Sequence, residues 1–351
     1  MRKQNCAVRT CLLIMMIVLL WRCIGAPVSA EDCLNLKTEF WQARKLMPSR
    51  IGRISLLWIG SCQFTKEETK NGKVIRVYAA SENKMIELPL EEYVCGVTAA
   101  EMPAQYHLEA LKAQMVAART RVMWQMEQGG CDKHPGSDIC TDSSHCQGYS
   151  SEAVCREKWG TNYPIYNERL EAAQKSTEGE WIAFEGEPIA VLYHAASGGR
   201  TENSVSVFSR QLPYLVSVES QGEEQVTGYH QESFLTYEEI TEKLSSEMSN
   251  DRLTAEEIRQ TFSVLEYTES GRVKNVQLGE MQIDAGVLRK LLGLRSTLFT
   301  FSISDEGITF YQKGYGHGVG MSQAGANVMA SSGKNYKEIL QHYYTGVSIC
   351  K

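Results

Sequence analysis

The sequence predicts an α+β protein in which helices pack on small antiparallel sheets around a cleft. Two observations carry this. Leu108, Leu111, Met115, Ala118, Val122 and Met126 recur at steps of three and four, the period of a helix with one apolar stripe. Lys73–Ala80 and Met85–Leu90 flank the polar run Ser81-Glu82-Asn83-Lys84, the pattern of a β-hairpin. The 351 residues, 43% of them hydrophobic, supply core for one large domain or two smaller ones. Net charge is -6 and no dense Lys/Arg run occurs, so nucleic acid is excluded as a partner.

Met1–Thr10 carries Arg2, Lys3 and Arg9, and Cys11–Trp21 is wholly apolar. A positive end before an apolar segment marks an exported chain. Val28-Ser29-Ala30 offers a cleavage site for a removed signal peptide. Alternatively Arg22 snorkels to the far interface and the helix stays as an anchor, its positive end inside. Residues 1–30 are therefore a membrane anchor or signal segment, and 31–72, of mixed charge, a stalk.

The hairpin leads to a helix beginning near Leu90. Pro103 disfavours α geometry in the residue before it, so this helix should stop around Glu101. Between Tyr93 and Leu108 Glu101 is the only formal charge, set among Ala99, Ala100, Met102 and Pro103. Such surroundings strip hydration from a carboxylate and raise its pKa, the condition for a general acid near neutral pH. The plainer reading is a solvated helix end. On the next helix Lys112 and Arg119 fall at the edge of the apolar stripe, which suggests a polar cleft wall; snorkelling side chains are the alternative.

Residues 129–155 contain Cys131, His134, Cys140, His145, Cys146 and Cys155. Zinc takes Cys and His tetrahedrally, and a structural site uses four protein ligands. His134, Cys140, His145 and Cys146 form the expected set, with Cys131 as a substitute. Disulfides are the alternative in an exported chain, but eleven cysteines is an odd total. Histidines have no part in a disulfide framework.

Further on, Thr161–Gly179 reads as a helix, and Trp181–Phe184 and Ile189–Tyr193 as strands. The second ends in Tyr193-His194-Ala195-Ala196-Ser197-Gly198-Gly199-Arg200, where Tyr193 and His194 alternate faces and only one can enter a cleft. Tyr237–Ser249 is an amphipathic helix, Phe262–Tyr267 and Val273–Leu278 are strands, and Asp284–Leu292 is a helix. Leu298–Ser304 and Ile308–Gln312 form a hairpin over Asp305-Glu306-Gly307. The turn Gly314-Tyr315-Gly316-His317-Gly318-Val319-Gly320 has no G-x-G-x-x-G register, which argues against a dinucleotide site. Its glycines are expected to let the backbone pass close to a sugar chain, with His317 and Gln323 hydrogen bonding to it. Asn335–Tyr344 is a closing helix.

Three stretches, Leu90–Pro103 continuing to Thr120, Tyr193–Thr201 and Gly314–Ala326, together resemble the stage II sporulation protein D family, which includes amidase enhancers. The resemblance implies a lytic transglycosylase that cuts peptidoglycan glycan strands during engulfment of the forespore, with Glu101 as its catalytic acid. It implies a membrane-anchored protein with its catalytic region outside the cytoplasm, a partner cell-wall amidase and a membrane scaffold of the engulfment machinery. Lys112, Arg119, Tyr193, His194, His317 and Gln323 are then expected to bind substrate. Residues around His145-Cys146-Gln147-Gly148-Tyr149 resemble a recurring element that would bring the metal loop close to the active site. The expected division is a catalytic core at 73–218, a cleft-shaping subdomain at 219–297 and the C-terminal part of the core at 298–351. Two other classes stand beside the enzyme: a glycan-binding activator of the amidase, and a hydrolase using the zinc. Four protein ligands leave no open metal position, which weighs against the second.

Overall fold

The computed structural model describes residues 72–351, apart from 209 and 246–252. The expected membrane segment and the stalk up to residue 71 lie outside the described residues. Among the described residues no helix is long and apolar enough to cross a membrane.

Strand β1 (Val74–Ala79) and β2 (Lys84–Pro89) form the expected hairpin, from Val74↔Pro89 to Ala79↔Lys84. Helices α1 (Leu90–Glu101) and α2 (Leu108–Glu127) follow. Met102 is already extended (φ -128°, ψ 137°), as a residue before proline should be, so Glu101 closes α1. Next come β3 (Ile139–Cys140), α3 (Glu152–Trp159), α4 (Tyr163–Thr177), β4 (Trp181–Phe184), β5 (Glu187–Pro188), β6 (Tyr193–His194), β7 (Gly199–Arg200), α5 (Ser204–Phe208) and β8 (Glu219–Ser220). The middle of the chain forms β9 (His230–Thr236), α6 (Tyr237–Ser245), α7 (Ala255–Thr261), β10 (Ser263–Tyr267), β11 (Val273–Leu278), β12 (Met281–Asp284), α8 (Ala285–Leu292), β13 (Phe299–Ile303) and β14 (Gly307–Lys313). The chain ends with β15 (Met321–Ser322), α9 (Gln323–Ser331), α10 (Tyr336–Tyr343) and β16 (Ser348–Cys350).

Helix α2 is the axis of the main core. Its apolar stripe is only part of what it buries: Ala113, Gln114, Val116, Ala117 and Thr120 are as buried as Leu111, Met115 and Val122. Helices α1, α4, α9 and α10 and strand β4 all pack on it, and its alanines let them approach closely. Strand β16 pairs with β4, so Val347 and Ile349, near the end of the chain, pack with Ile75 and Val77 in the same cluster.

The sheets are small, and two of their pairings depart from the antiparallel expectation. Strand β3 runs parallel to β1 at Val77↔Ile139, and β15 runs parallel to β6 at Met321↔Tyr193. Each joins segments distant in sequence, where no tight turn imposes antiparallel pairing.

A second apolar cluster gathers Ile240, Leu244, Ile258, Phe262, Val276, Leu278 and Leu288. It also takes in Phe299, Ile308 and Phe310 of the β13–β14 hairpin, which was expected with the C-terminal part of the core. Strand pairing explains this: β14 carries β9 on its other edge, from Gly307↔Thr236 to Lys313↔His230. That ties the hairpin to the second cluster.

Candidate active site and metal cluster

Glu101 lines an open cleft of about 470 Å³ with Met102, Pro103, Gln105, Lys158 and Trp159. Its Oε1 accepts the Gly148 N–H at 2.8 Å. A Cβ on Gly148 would crowd that oxygen at 3.0 Å, so glycine suits the contact. The side-chain amide of Gln323, at the start of α9, hydrogen-bonds the same carboxylate. Burial pushes the Glu101 carboxyl above its ordinary range, and these two donors pull it back only in part. Glu101 therefore keeps its proton to a higher pH than a solvated glutamate.

Gln323 is held in turn by Gln114 of α2, whose Oε1 accepts from Gln323 Nε2 at 3.4 Å. Gln147 Nε2 donates to the Tyr193 hydroxyl at 3.0 Å. Burial, and then the Glu101 charge, drives that phenol well above its ordinary range. Tyr93 hydroxyl, Gln114 Nε2 and Gln147 Oε1 are buried and have no hydrogen-bond partner among the described residues. Unpartnered groups of this kind are available to a bound molecule. Glu101, Tyr193 and Gln323 are thus brought together.

His194 turns to the opposite face from Tyr193; it is 4% exposed and its Nδ1 lies 3.1 Å from Val319 O. His317 lies beside it, ring centroids 5.7 Å apart, and its Nδ1 accepts the Val319 N–H at 3.0 Å. Burial, with the Arg289 and Arg272 charges, pushes His317 down to about 4. Burial, with the charges of His317 and Arg272, also holds His194 low. Both are neutral imidazoles at neutral pH, and neither lines the cleft. The glycine turn serves the chain itself. Gly320 (φ 73°) runs so close to the Leu192 carbonyl that any Cβ would collide with it. The close approach expected for a sugar chain is an approach of backbone to backbone.

Lys112 and Arg119 are committed elsewhere. Lys112 Nζ binds Glu109 Oε1 at 2.7 Å and lies 5.8 Å from the Tyr336 ring centroid. Arg119 is 1% exposed; its Nε donates to Glu91 Oε1 at 2.7 Å, its Nη2 to Glu91 Oε2 at 2.5 Å and its Nη1 to Glu180 O at 2.9 Å. Because α2 is covered on all sides, a cation at the edge of its stripe lies inside the core and must be paired there. These two residues fasten helices.

In the loop before α3, Cys131, Cys140, His145 and Cys146 place their ligand atoms within 4.8 Å of one another. His145 Nδ1 lies 3.7, 3.4 and 3.3 Å from the sulfurs of Cys131, Cys140 and Cys146. The sulfurs of Cys131 and Cys146 are 4.0 Å apart. A tetrahedral metal with bonds of about 2.3 Å to sulfur and about 2.05 Å to nitrogen spans edges of about 3.8 and 3.6 Å. The cluster has that size and could hold a metal. His145 Nε2 meets Asp132 Oδ1 at 2.8 Å, the outer carboxylate that commonly orients a ligating histidine. His134 is not part of the group. It stacks on Tyr78 with ring centroids 3.7 Å apart, and Cys131 takes its place. The β1–β3 pairing sets Tyr78 beside Cys140 and so offers His134 an aromatic partner. Among the described residues every cysteine is a free thiol, contrary to the disulfide alternative.

Gly148 lies two residues beyond Cys146, so the metal loop and the buried acid share one short segment. Residues 78–184 match the family SpoIID, described as stage II sporulation protein. The chain is 33% identical to stage II sporulation protein D of Bacillus subtilis (strain 168) over 275 residues, 78% of each chain. Its counterpart in Bacillus amyloliquefaciens is 32% identical over the same extent. The amidase enhancer of Bacillus subtilis (strain 168) is 26% identical over 301 residues, which cover 72% of this chain and 40% of the enhancer. The chain belongs to the stage II sporulation protein D family.

Proposed function

We propose that this chain is a lytic transglycosylase that cuts peptidoglycan glycan strands, with Glu101 as acid and then base. The observation that carries this reading is the desolvated Glu101 carboxyl in the cleft, with a raised pKa and fixed donors. Glu101 is the one carboxylate among the residues lining that cleft, whereas a hydrolytic glycosidase generally needs two. A transglycosylase needs no second acid, because the muramic acid supplies its own C6 hydroxyl as nucleophile, positioned by the ring. Glu101 protonates the glycosidic oxygen as the bond from C1 to that oxygen breaks. The C6 hydroxyl closes on C1, and the Glu101 carboxylate takes its proton. The product is a 1,6-anhydro sugar, and no water is consumed. Trp159 and Lys158 offer the same cleft an indole face and a cation, suited to a pyranose and its lactyl carboxylate.

Zinc bound by Cys131, Cys140, His145 and Cys146 would supply structure, closing the loop that carries Gln147 and Gly148. The chain is read as anchored in the cell membrane by its N-terminal helix, with the catalytic region outside the cytoplasm. It acts in engulfment beside a cell-wall amidase that first strips stem peptides, and beside a membrane scaffold. The name of the amidase enhancer supports a second reading, a glycan-binding activator without chemistry of its own. One experiment separates them. Peptide-free glycan is incubated with wild type and Glu101→Gln, and released products are weighed by mass spectrometry. Anhydro products that disappear in the variant support the enzyme, by a factor of roughly a hundred to ten thousand. Equal release by both proteins removes Glu101 from the chemistry, and release by neither leaves the activator.

A further inference from the structure

Away from the Glu101 cleft, α5 and the glycine turn carry an unusual surface. Val205, Phe208 and Tyr315 are 52%, 44% and 49% exposed. Phe208 stands edge-on to His317 with centroids 5.5 Å apart. The Arg295 guanidinium lies 5.2 Å from the Tyr315 ring centroid, and Arg289 is close enough to feel the Tyr315 hydroxyl. Arg289 and Lys290 both act on the His317 ring. Among the described residues no carboxylate pairs with Arg289, Lys290 or Arg295. Glu202 and Glu223, the buried acids nearby, face Arg272 and are taken up by Thr268, Ser197 and backbone N–H groups. In a chain of net charge -6, three unpaired cations interleaved with exposed aromatic rings call for an anionic occupant with flat apolar faces.

We propose that Phe208, Tyr315, Arg289, Lys290 and Arg295 form a second glycan-binding surface that holds the peptide-stripped strand through its lactyl carboxylates. The class of ligand rests on the function proposed above. A stripped strand is a polyanion, with a free lactyl carboxylate on each muramic acid and pyranose faces between them. Guanidinium groups match the carboxylates, and the aromatic rings match the faces. His317 precedes Gln323, the partner of Glu101, by 323 - 317 = 6 positions, about 20 Å at full extension.

The test measures binding of peptide-free glycan oligomers to the Glu101→Gln protein, which does not consume them. Arg289→Ala/Arg295→Ala and Phe208→Ala/Tyr315→Ala are each introduced on that background, with Lys84→Ala as the control. Each double variant should weaken binding roughly fivefold to tenfold, and Lys84→Ala should leave it unchanged. The loss from the arginine pair should shrink as salt rises, and should vanish on glycan whose carboxylates are amidated. Unaltered affinity in both double variants overturns the proposal, as does weakening that ignores salt and amidation; an acidic protein partner is then the better occupant. Failure here is distinct from failure of the enzyme. If wild type releases no anhydro sugar yet the surface variants still lose glycan, the surface stands and the catalytic reading falls. If cleavage proceeds while binding is indifferent to all four residues, the surface alone falls.

Discussion

Glu101 was legible because its isolation is a property of sequence: a single charge among alanines, methionine and proline, at a helix stop that Pro103 dictates. Its consequences for pH follow in sign. In the reaction proposed above the acid must start protonated, and burial raises the Glu101 pKa. Anhydro-sugar release should therefore be full below that raised pKa and decline as pH climbs through it, and a pH–rate profile on peptide-free glycan would read this. Loss of activity on the acid side alone would contradict the assignment. Gln114 and Gly148 were not legible. An amide on a helix and a glycine in a loop carry no signal until the fold shows whom they touch; a polar residue buried among alanines was the one clue for Gln114. Spacing likewise does not reveal that the His134 ring stacks on Tyr78. Elemental analysis of the purified protein should find about one zinc per chain, lost in Cys131→Ser and Cys140→Ser and kept in His134→Ala. The opposite pattern would restore His134 as a ligand.

At the scale of elements, α1, α2 and α4 are fastened by one buried charge pair. Burial alone would raise the Glu91 carboxyl; Arg119, with Gln174 and the Gly179 N–H, outweighs it and leaves the group lowered. A lowered carboxyl contributes stability that is present above its unfolded pKa and is lost as pH falls through the folded value. Glu91→Gln leaves Arg119 buried without its partner, which should cost about 3–5 kcal/mol. Denaturant unfolding at neutral pH measures it, and the deficit should narrow in acid. A deficit unchanged with pH would mean the pair is not what is lost. Helices and hairpins were readable from period and turn chemistry, as α1, α2, β1–β2 and β13–β14 show. Strands β9 and β12 were not. Their residues are largely polar and half exposed, and only pairing with β14 and β11 makes strands of them.

For the whole molecule, the sequence conveyed an α+β architecture of helices and small sheets. Which apolar cluster the β13–β14 hairpin joins was hidden, because that depends on which third strand pairs with it. Arg272 shows the same limit. It sits in the turn between β10 and β11, buried to 2% exposure, and its Nη1 donates to Ser296 Oγ at 3.0 Å while Nη2 reaches the Ser197 carbonyl. One guanidinium thus joins the β10–β11 turn to the segment after β6, with Glu202 and Glu223 facing it. Nothing in the sequence distinguishes it from a surface arginine beside a Ser-Gly turn.

The contact between Gln323 and Gln114 spans 209 positions of sequence. A chain is made from its first residue onward, so Glu101 and all of α2 exist long before α9 does. Throughout that interval the acid lacks one of its two donors, and α2 lacks part of its cover. Gln323 is therefore translated 323 - 101 = 222 positions after the acid whose surroundings it completes. A copy truncated before α9 carries the carboxylate without its full setting.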